Sequence, residues 1–324
     1  MKRREFIACV SGAAVLWPVR VCAQNSVRLG ILQASTRDAD AFATDPFLSE
    51  LKKLGYVEGR NLIVERRYAE GLLDRLPALA AEIIAFRPDL IFAPQGTAAA
   101  VVKPLTATIP IVFCFVNEPV ALGLAQSLAH PGWNLTGMSN FSVDIAGKRI
   151  ELLKELVPGL TRLAIWENPE AVNEAVEMSA IEAAAGRFDM QLLVIKANKP
   201  TEYQAAAEAT RNWGAHAMYL NSNPAAYANR RQIIVLMSEI KIPTMYYMAA
   251  FVSEGGLISY AANFPDLARR SAVYADKIFR GAKPSDLPIE QPTRLDLSIN
   301  LKTAQALGIA VSQSLLLRAN EVIE

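Results

Sequence analysis

From Val27 onward, apolar and polar positions follow two periods in alternation. Residues 27–32 form a short apolar run that opens into the polar loop 33–40, and a helical stretch over 46–54 is stopped by Gly55. Residues 61–68 alternate apolar and polar as a strand does, and Ala69, Glu70 and Gly71 turn the chain. Leu76, Leu79, Ala80, Ile83 and Ile84 make one stripe of a helix over 76–86, which Pro88 ends. A strand over 89–93, a small-residue helix over 97–105 and a strand over 110–116 follow. The same grammar restarts after Ser139. Helices over 146–156, 171–187, 201–213 and 226–239 interleave with strands over 163–166, 191–195, 217–220 and 243–247. Thr201 is expected to cap its helix, with Gly214 beyond the far end. Strands separated by helices are βαβ units around a parallel sheet. The predicted fold class is α/β, with two doubly wound parallel-sheet lobes.

The length of 324 residues suits two such lobes, at roughly 100–200 residues per domain. Lys and Arg number 33 against 32 Asp and Glu, a net charge of +1. That balance argues against a nucleic-acid partner, which a strongly basic face would serve. Two His and three Cys leave too little for a structural zinc site, an iron–sulfur cluster or a disulfide framework. No metal and no cofactor is expected.

The first 23 residues read as an address. A charged start (Lys2, Arg3, Arg4) precedes an apolar run over 6–17, and Val21, Cys22 and Ala23 form a small-residue cleavage site. The run is shorter than the roughly 20 residues needed to span a bilayer. Arg3 and Arg4 followed by Phe6 and Ile7 also resemble a twin-arginine signal, so Sec and twin-arginine export both fit. Val21 and Val19 stand where a lipoprotein signal carries a small residue and Leu, which favours cleavage after Ala23 and a soluble exported product. Its loss takes four basic residues and one acidic residue, moving the net charge from +1 to −2. Cys114 is then the lone cysteine, in the apolar run 111–116, where a buried inert thiol is expected.

Parallel α/β sheets bind ligands beyond the carboxyl ends of their strands. The loops there carry Ser35 and Thr36, Tyr68, Gln95 and Thr97, Asn117 and Glu118, Asn168, Asn223, Tyr247 and Phe251. Hydroxyls, amides and aromatics dominate, without the Cys, His or paired acids of a reaction centre, which suits holding a small molecule. Each polar candidate has a plainer reading beside this one. Thr36 and Thr97 can simply cap helices, Asn before Pro is a common turn residue, and Glu118 suits a solvated helix start. Strand alternation lets only one of Tyr246 and Tyr247 point to a given face. His130 and His216 fit no triad.

Several stretches resemble the ABC-transporter substrate-binding proteins of the tryptophan/tyrosine type. They are ELKKLGYVEGRN (50–61), RLPALAAE (75–82), IPIVF (109–113), PGWNLTG (131–137) and GKRIELLK (147–154). In the tail, Gly255 and Gly256, Arg269 and Arg270, GAKP (281–284), EQPT (290–293), INLKTA (299–304) and SLLLRANEVI (314–323) match in order and spacing. The resemblance implies a periplasmic protein whose two lobes close on a ligand and hand it to a membrane permease, a monomer and not an enzyme. It places the lobes at 26–140 plus 263–290 and at 141–262 plus 291–324. The chain would cross near Ser139 and Asn140, near 261–263 and near 291–293, which adds Asn140 to the candidate ligand contacts. The implied ligand bears a carboxylate, as an aromatic or other apolar amino acid or related organic acid does. Ser35, Thr36 and Thr97 would meet that anion, and Asn168 and Asn223 can donate and accept. His130 to Trp133, Pro224 to Tyr227 and Met245 to Met248 depart from the family pattern. Two other classes compete: an exported enzyme acting on a small organic acid, and a periplasmic sensor presenting its ligand to a membrane receptor. The missing Gly-x-Gly-x-x-Gly, P-loop, Cys-x-x-Cys and Gly-x-Ser-x-Gly motifs weigh against the enzyme.

Overall fold

The computed structural model describes residues 26–38, 41–140, 145–167 and 174–324; the expected leader and the candidate Asn168 lie outside the described residues. The first unit runs β1 (Val27–Gln33), α1 (Ala41–Lys53), β2 (Leu62–Tyr68), α2 (Leu76–Ala85), β3 (Leu90–Phe92), α3 (Gly96–Val102), β4 (Ile111–Val116) and β5 (Leu135–Ser139). Its strands are all parallel, in the order β2-β1-β3-β4-β5. On one face, Leu76, Ile83 and Val102 of α2 and α3 pack with Ile91 and Phe113 of the sheet. On the other, Phe47 of α1 stacks on Phe92 with ring centroids 3.9 Å apart. Helix α2 lies so close to β1 that a Cβ at Gly30 would stand 2.6 Å from Ile83 Cγ2. Only glycine allows that approach.

The chain continues through α4 (Ala146–Leu156), β6 (Arg162–Glu167), α5 (Glu174–Gly186), β7 (Gln191–Lys196), α6 (Pro200–Asn212), β8 (Ala217–Leu220), α7 (Pro224–Ala228) and α8 (Arg230–Glu239). Then come β9 (Thr244–Tyr246), α9 (Ala249–Ser253), β10 (Ile258–Ala262), α10 (Phe264–Phe279), β11 (Leu295–Asn300), α11 (Leu301–Ala306), α12 (Gln313–Arg318) and β12 (Glu321–Ile323). The second sheet has the order β12-β11-β10-β9-β8-β6-β7. No helix among the described residues is long and apolar enough to cross a membrane.

The α/β class and the two-sheet architecture agree with the sequence pattern, and four details differ. The second sheet is mixed, because β11 runs antiparallel to β10 with Ala262 opposite Leu295. After β10 the chain leaves for α10, which packs on α1 and β4 of the first sheet. It then runs beside β5, where Ser139 N–H donates to the Glu290 carbonyl at 2.8 Å, before returning as β11. A strand that ends at a crossing and a neighbour that begins there must run in opposite directions. The second difference is that α1 starts at Ala41 instead of 46 and passes through Pro46. Its first turn is anchored by Phe42, whose ring packs on Phe115, Tyr227 and Phe264. Tertiary packing here outweighs the local cost of proline. Third, residues 226–239 are two helices, because Asn229 closes α7 with its side-chain amide on the Ala225 carbonyl at 2.9 Å. Fourth, Thr201 lies inside α6. Pro200 takes the first helical position, and Glu202 accepts from the N–H groups of Asn198 and Lys199 at 3.0 and 3.1 Å. Gly214 does lie past the helix end, at φ 71°.

Candidate functional site: a cleft between the two sheets

The carboxyl ends of β3, β4 and β5 face those of β8 and β9 across a cleft enclosing about 600 Å³ of atom-free space, its open mouth included. From the first sheet come Gln95, Gly96 and Thr97 after β3, Phe115 and Asn117 at the end of β4, Leu122, and Asn140 after β5. From the second come Ser222, Asn223 and Tyr227 after β8, and Tyr247 and Met248 after β9. Phe42 of α1 and Phe264 of α10 complete the wall. None of these side chains is charged.

Local folding aims each group. At Gly137 a Cβ would meet the Phe113 carbonyl oxygen at 2.0 Å, so β5 runs against β4 where the strand register shifts between Phe113 and Val116. Beyond that irregularity stand Phe115 and Asn117, and Glu118 takes a left-handed φ of 45° that turns the chain away. Asn223 caps α7: its Oδ1 accepts from Ala226 N–H at 2.8 Å, and its carbonyl accepts from the Tyr247 hydroxyl at 2.7 Å. Its Nδ2 is left buried without a hydrogen-bond partner, although the residue is only 1% exposed. The Thr97 hydroxyl is likewise buried and unpartnered. A buried donor without a partner costs about 1–3 kcal/mol, and the two such groups, Thr97 from the first sheet and Asn223 from the second, line the same cleft. Burial pushes the Tyr247 phenol well above its usual range, which keeps it a donor.

The aromatic part of the wall is continuous across the two sheets. Phe42 lies 5.2 Å from Phe115 and 4.9 Å from Tyr227, and Phe115 lies 4.8 Å from Phe264, centroid to centroid. Behind the wall, Tyr227, Tyr246 and Tyr247 pack on the fully buried Phe251 ring at 5.9, 4.8 and 5.3 Å. A buried polar network sits deeper. Asn117 Nδ2 donates to Glu177 Oε2 at 3.4 Å, and Arg149 Nη1 lies 3.8 Å from Glu177 Oε1. Arg149 also donates to the Tyr219 hydroxyl at 2.9 Å and to the Tyr260 carbonyl at 2.7 Å.

Of the residues proposed from the sequence, Gln95, Thr97, Asn117, Asn140, Asn223 and Tyr247 stand on this wall. Ser35, Thr36, Tyr68 and Phe251 do not. Tyr68 ends the outermost strand, and Ser35 is fully buried, its carbonyl taken by Glu70 N–H. The first turn of α1 contributes Phe42 in their place, and Phe251 supports the wall from behind. Sequence reasoning missed Phe42, Phe115, Leu122, Ser222, Tyr227, Met248 and Phe264 as lining residues. Alternation along β4 could have shown Phe115, Ser222 and Met248 sit in loops already singled out, and Phe264 follows the second crossing directly. For Phe42 there was no signal. Among the described residues no cluster of three metal-ligating side chains occurs, and Cys114 is buried with its thiol pushed well up by desolvation.

Residues 28–323 match the family model for the ABC transporter substrate binding protein. A tyrosine-binding protein of Clostridioides difficile is 24% identical over 282 residues, covering 87% of this chain and 81% of that one. A conserved domain protein from Vibrio cholerae superposes with a TM-score of 0.87 and 26% identity, over 92% of this chain and all of the other. The ABC domain from Streptococcus pneumonia in complex with L-Trp superposes with a TM-score of 0.85 and 21% identity, over 92% of this chain and 100% of its own.

Proposed function

The chain belongs to the ABC transporter substrate-binding protein family, and we propose that it captures a small carboxylate-bearing amino acid or related organic acid, aromatic or otherwise apolar, and delivers it to a membrane permease. The observation that carries this reading is the pairing of two buried, unpartnered groups, the Thr97 hydroxyl and the Asn223 amide, with an aromatic wall in one cleft whose lining carries no charge among the described residues. Those groups suit the oxygens of a carboxylate, and Phe42, Phe115, Tyr227 and Phe264 suit an apolar side chain. The relatives named for tyrosine and bound to L-Trp point the same way. Binding and release need no covalent step. The lobes that close are taken as 26–140 plus 263–290 and 141–262 plus 291–324, and the working compartment as the periplasm after cleavage at Ala23.

Thermal-shift screening of the protein without residues 1–23 against amino acids, aromatic acids and small carboxylates tests the reading. At 100 times Kd a ligand stabilises the native state by about 2.7 kcal/mol. With an unfolding entropy of about 2.1 cal/mol/K per residue, that raises Tm by about 4 °C. Shifts from amino or organic acids are expected; a shift from a sugar alone would refute the ligand class.

A further inference from the structure

Resting on the reading of the cleft as a site for amino and organic acids, we propose that Tyr247 is a positioning residue whose hydroxyl holds Asn223 so that the Asn223 amide stays presented to the guest. Asn223 is the cap of α7, a helix of only five residues. A helix so short has almost no stability of its own, so neighbours must set the direction of its cap. Three hydrogen bonds do so. Asn223 Oδ1 accepts from Ala226 N–H at 2.8 Å. The Asn223 carbonyl accepts from Tyr227 N–H at 3.1 Å and from the Tyr247 hydroxyl at 2.7 Å. The first two donors belong to α7 itself and move with it. Of the three, the Tyr247 hydroxyl alone ties Asn223 to another element, the end of β9. That strand is buried along its whole length, and the Tyr247 ring packs on Phe251 with centroids 5.3 Å apart.

The anchor matters because of what it prevents. Asn223 Nδ2 is buried and has no hydrogen-bond partner among the described residues. An amide free to move would turn such a donor toward water or a carbonyl, since buried polar groups find partners. Here it cannot turn without breaking the bond to Ala226, and the cap cannot shift as a unit without breaking the bond to Tyr247. The donor is thus held in place before a guest arrives, which removes part of the ordering cost of binding. Tyr247 has a single O–H, and it is committed to the Asn223 carbonyl. With no donor left to offer a guest, Tyr247 acts on affinity through Asn223. Desolvation holds the phenol well above its ordinary value, so that O–H persists through the neutral range.

A double-mutant cycle tests this. Calorimetry measures Kd for L-tyrosine, L-tryptophan, L-leucine and 3-(indol-3-yl)propanoate, and the tightest of the four is followed through wild type, Tyr247→Phe, Asn223→Ser and the double variant. Tyr247→Phe keeps the ring on Phe251, and the Asn223 carbonyl keeps the Tyr227 N–H, so the fold is retained. Its Kd should weaken about tenfold, within the range for a hydrogen bond to a charged group. In the Asn223→Ser background no amide is left to aim, and the same change should alter Kd by less than about twofold. If Tyr247→Phe does not fold, Tyr247→Met takes its place in the cycle, since it also lacks the donor and adapts its shape to the gap. Equal losses in both backgrounds mean that Tyr247 meets the guest itself or supports the lobe in general, and overturn the proposal. A Tyr247→Phe protein that binds as wild type does overturns it too, and leaves the acid-binding reading intact. If wild type binds none of the four, that reading falls and this inference falls with it.

Discussion

Asn223 does two separable things, and a single substitution can divide them. Its Oδ1 caps α7 by accepting from Ala226 N–H at 2.8 Å, while its Nδ2 stands buried and unpartnered on the cleft wall. Asn223→Ser keeps a capping oxygen and loses the amide donor. Asn223→Asp keeps the cap as well and puts an acceptor where the donor was. Asn, Asp and Ser are nearly equivalent as N-caps, so the ligand-free protein should melt within about 2 °C of wild type in the serine variant. A hydrogen bond to a charged group is worth about 1.5–3 kcal/mol. Losing it should weaken binding of the best amino acid about 10- to 150-fold in Asn223→Ser, and further in Asn223→Asp, where two carboxylates would face each other on closure. Calorimetric Kd and ligand-free Tm, measured on the same preparations, read the two effects apart. If Tm falls by several degrees while Kd stays within twofold, Asn223 is a cap and nothing more, and the assignment of the cleft donor is wrong.

Gly30→Ala should destabilise the protein by about 1–3 kcal/mol, because its Cβ would stand 2.6 Å from Ile83 Cγ2; urea unfolding measures this, and an unchanged midpoint would mean α2 shifts freely. Cys114 is buried with its thiol pushed well above its usual range by desolvation, so it should resist a thiol reagent at pH 8 in the folded protein and react on denaturation. At Glu290, beside the crossing segment, burial raises the carboxyl, but hydrogen bonds from Arg270 and Tyr274 outweigh it and hold it below the usual range. A lowered native pKa gives stability that is present above the unfolded value and lost as pH falls through the native one. Unfolding between pH 5 and 3 should therefore lose less free energy in Glu290→Gln than in wild type, modestly so because the side chain is partly exposed; identical pH slopes would exclude the coupling.

The strands that form the cleft were legible because their signal is local. Residues 89–93 and 110–116 are apolar runs between turn residues, and the loops after them carry Gln95 with Thr97 and Asn117. Both lie on the cleft wall. The same rule applied to β1 and β2 led to Ser35, Thr36 and Tyr68, which lie off it. A carboxyl-end rule names one end of every strand, but which strands meet the opposite sheet depends on sheet order, and β2 is at the far edge.

Local pattern therefore determined the α/β class, the number of lobes and the strand ends that line the cleft, since periodicity, caps and turns act over a few residues. Tertiary structure alone decided the rest. The antiparallel β11 follows from a chain that leaves β10 for the first sheet and comes back to the same end. The continuation of α1 through Pro46 follows from Phe42 meeting Phe115, Tyr227 and Phe264. The polarity of the cleft was also out of reach of the sequence. An asparagine carries a donor and an acceptor, and at Asn223 only the Ala226 N–H, brought by the start of α7, decides that the oxygen is taken and the amide nitrogen stays unpartnered.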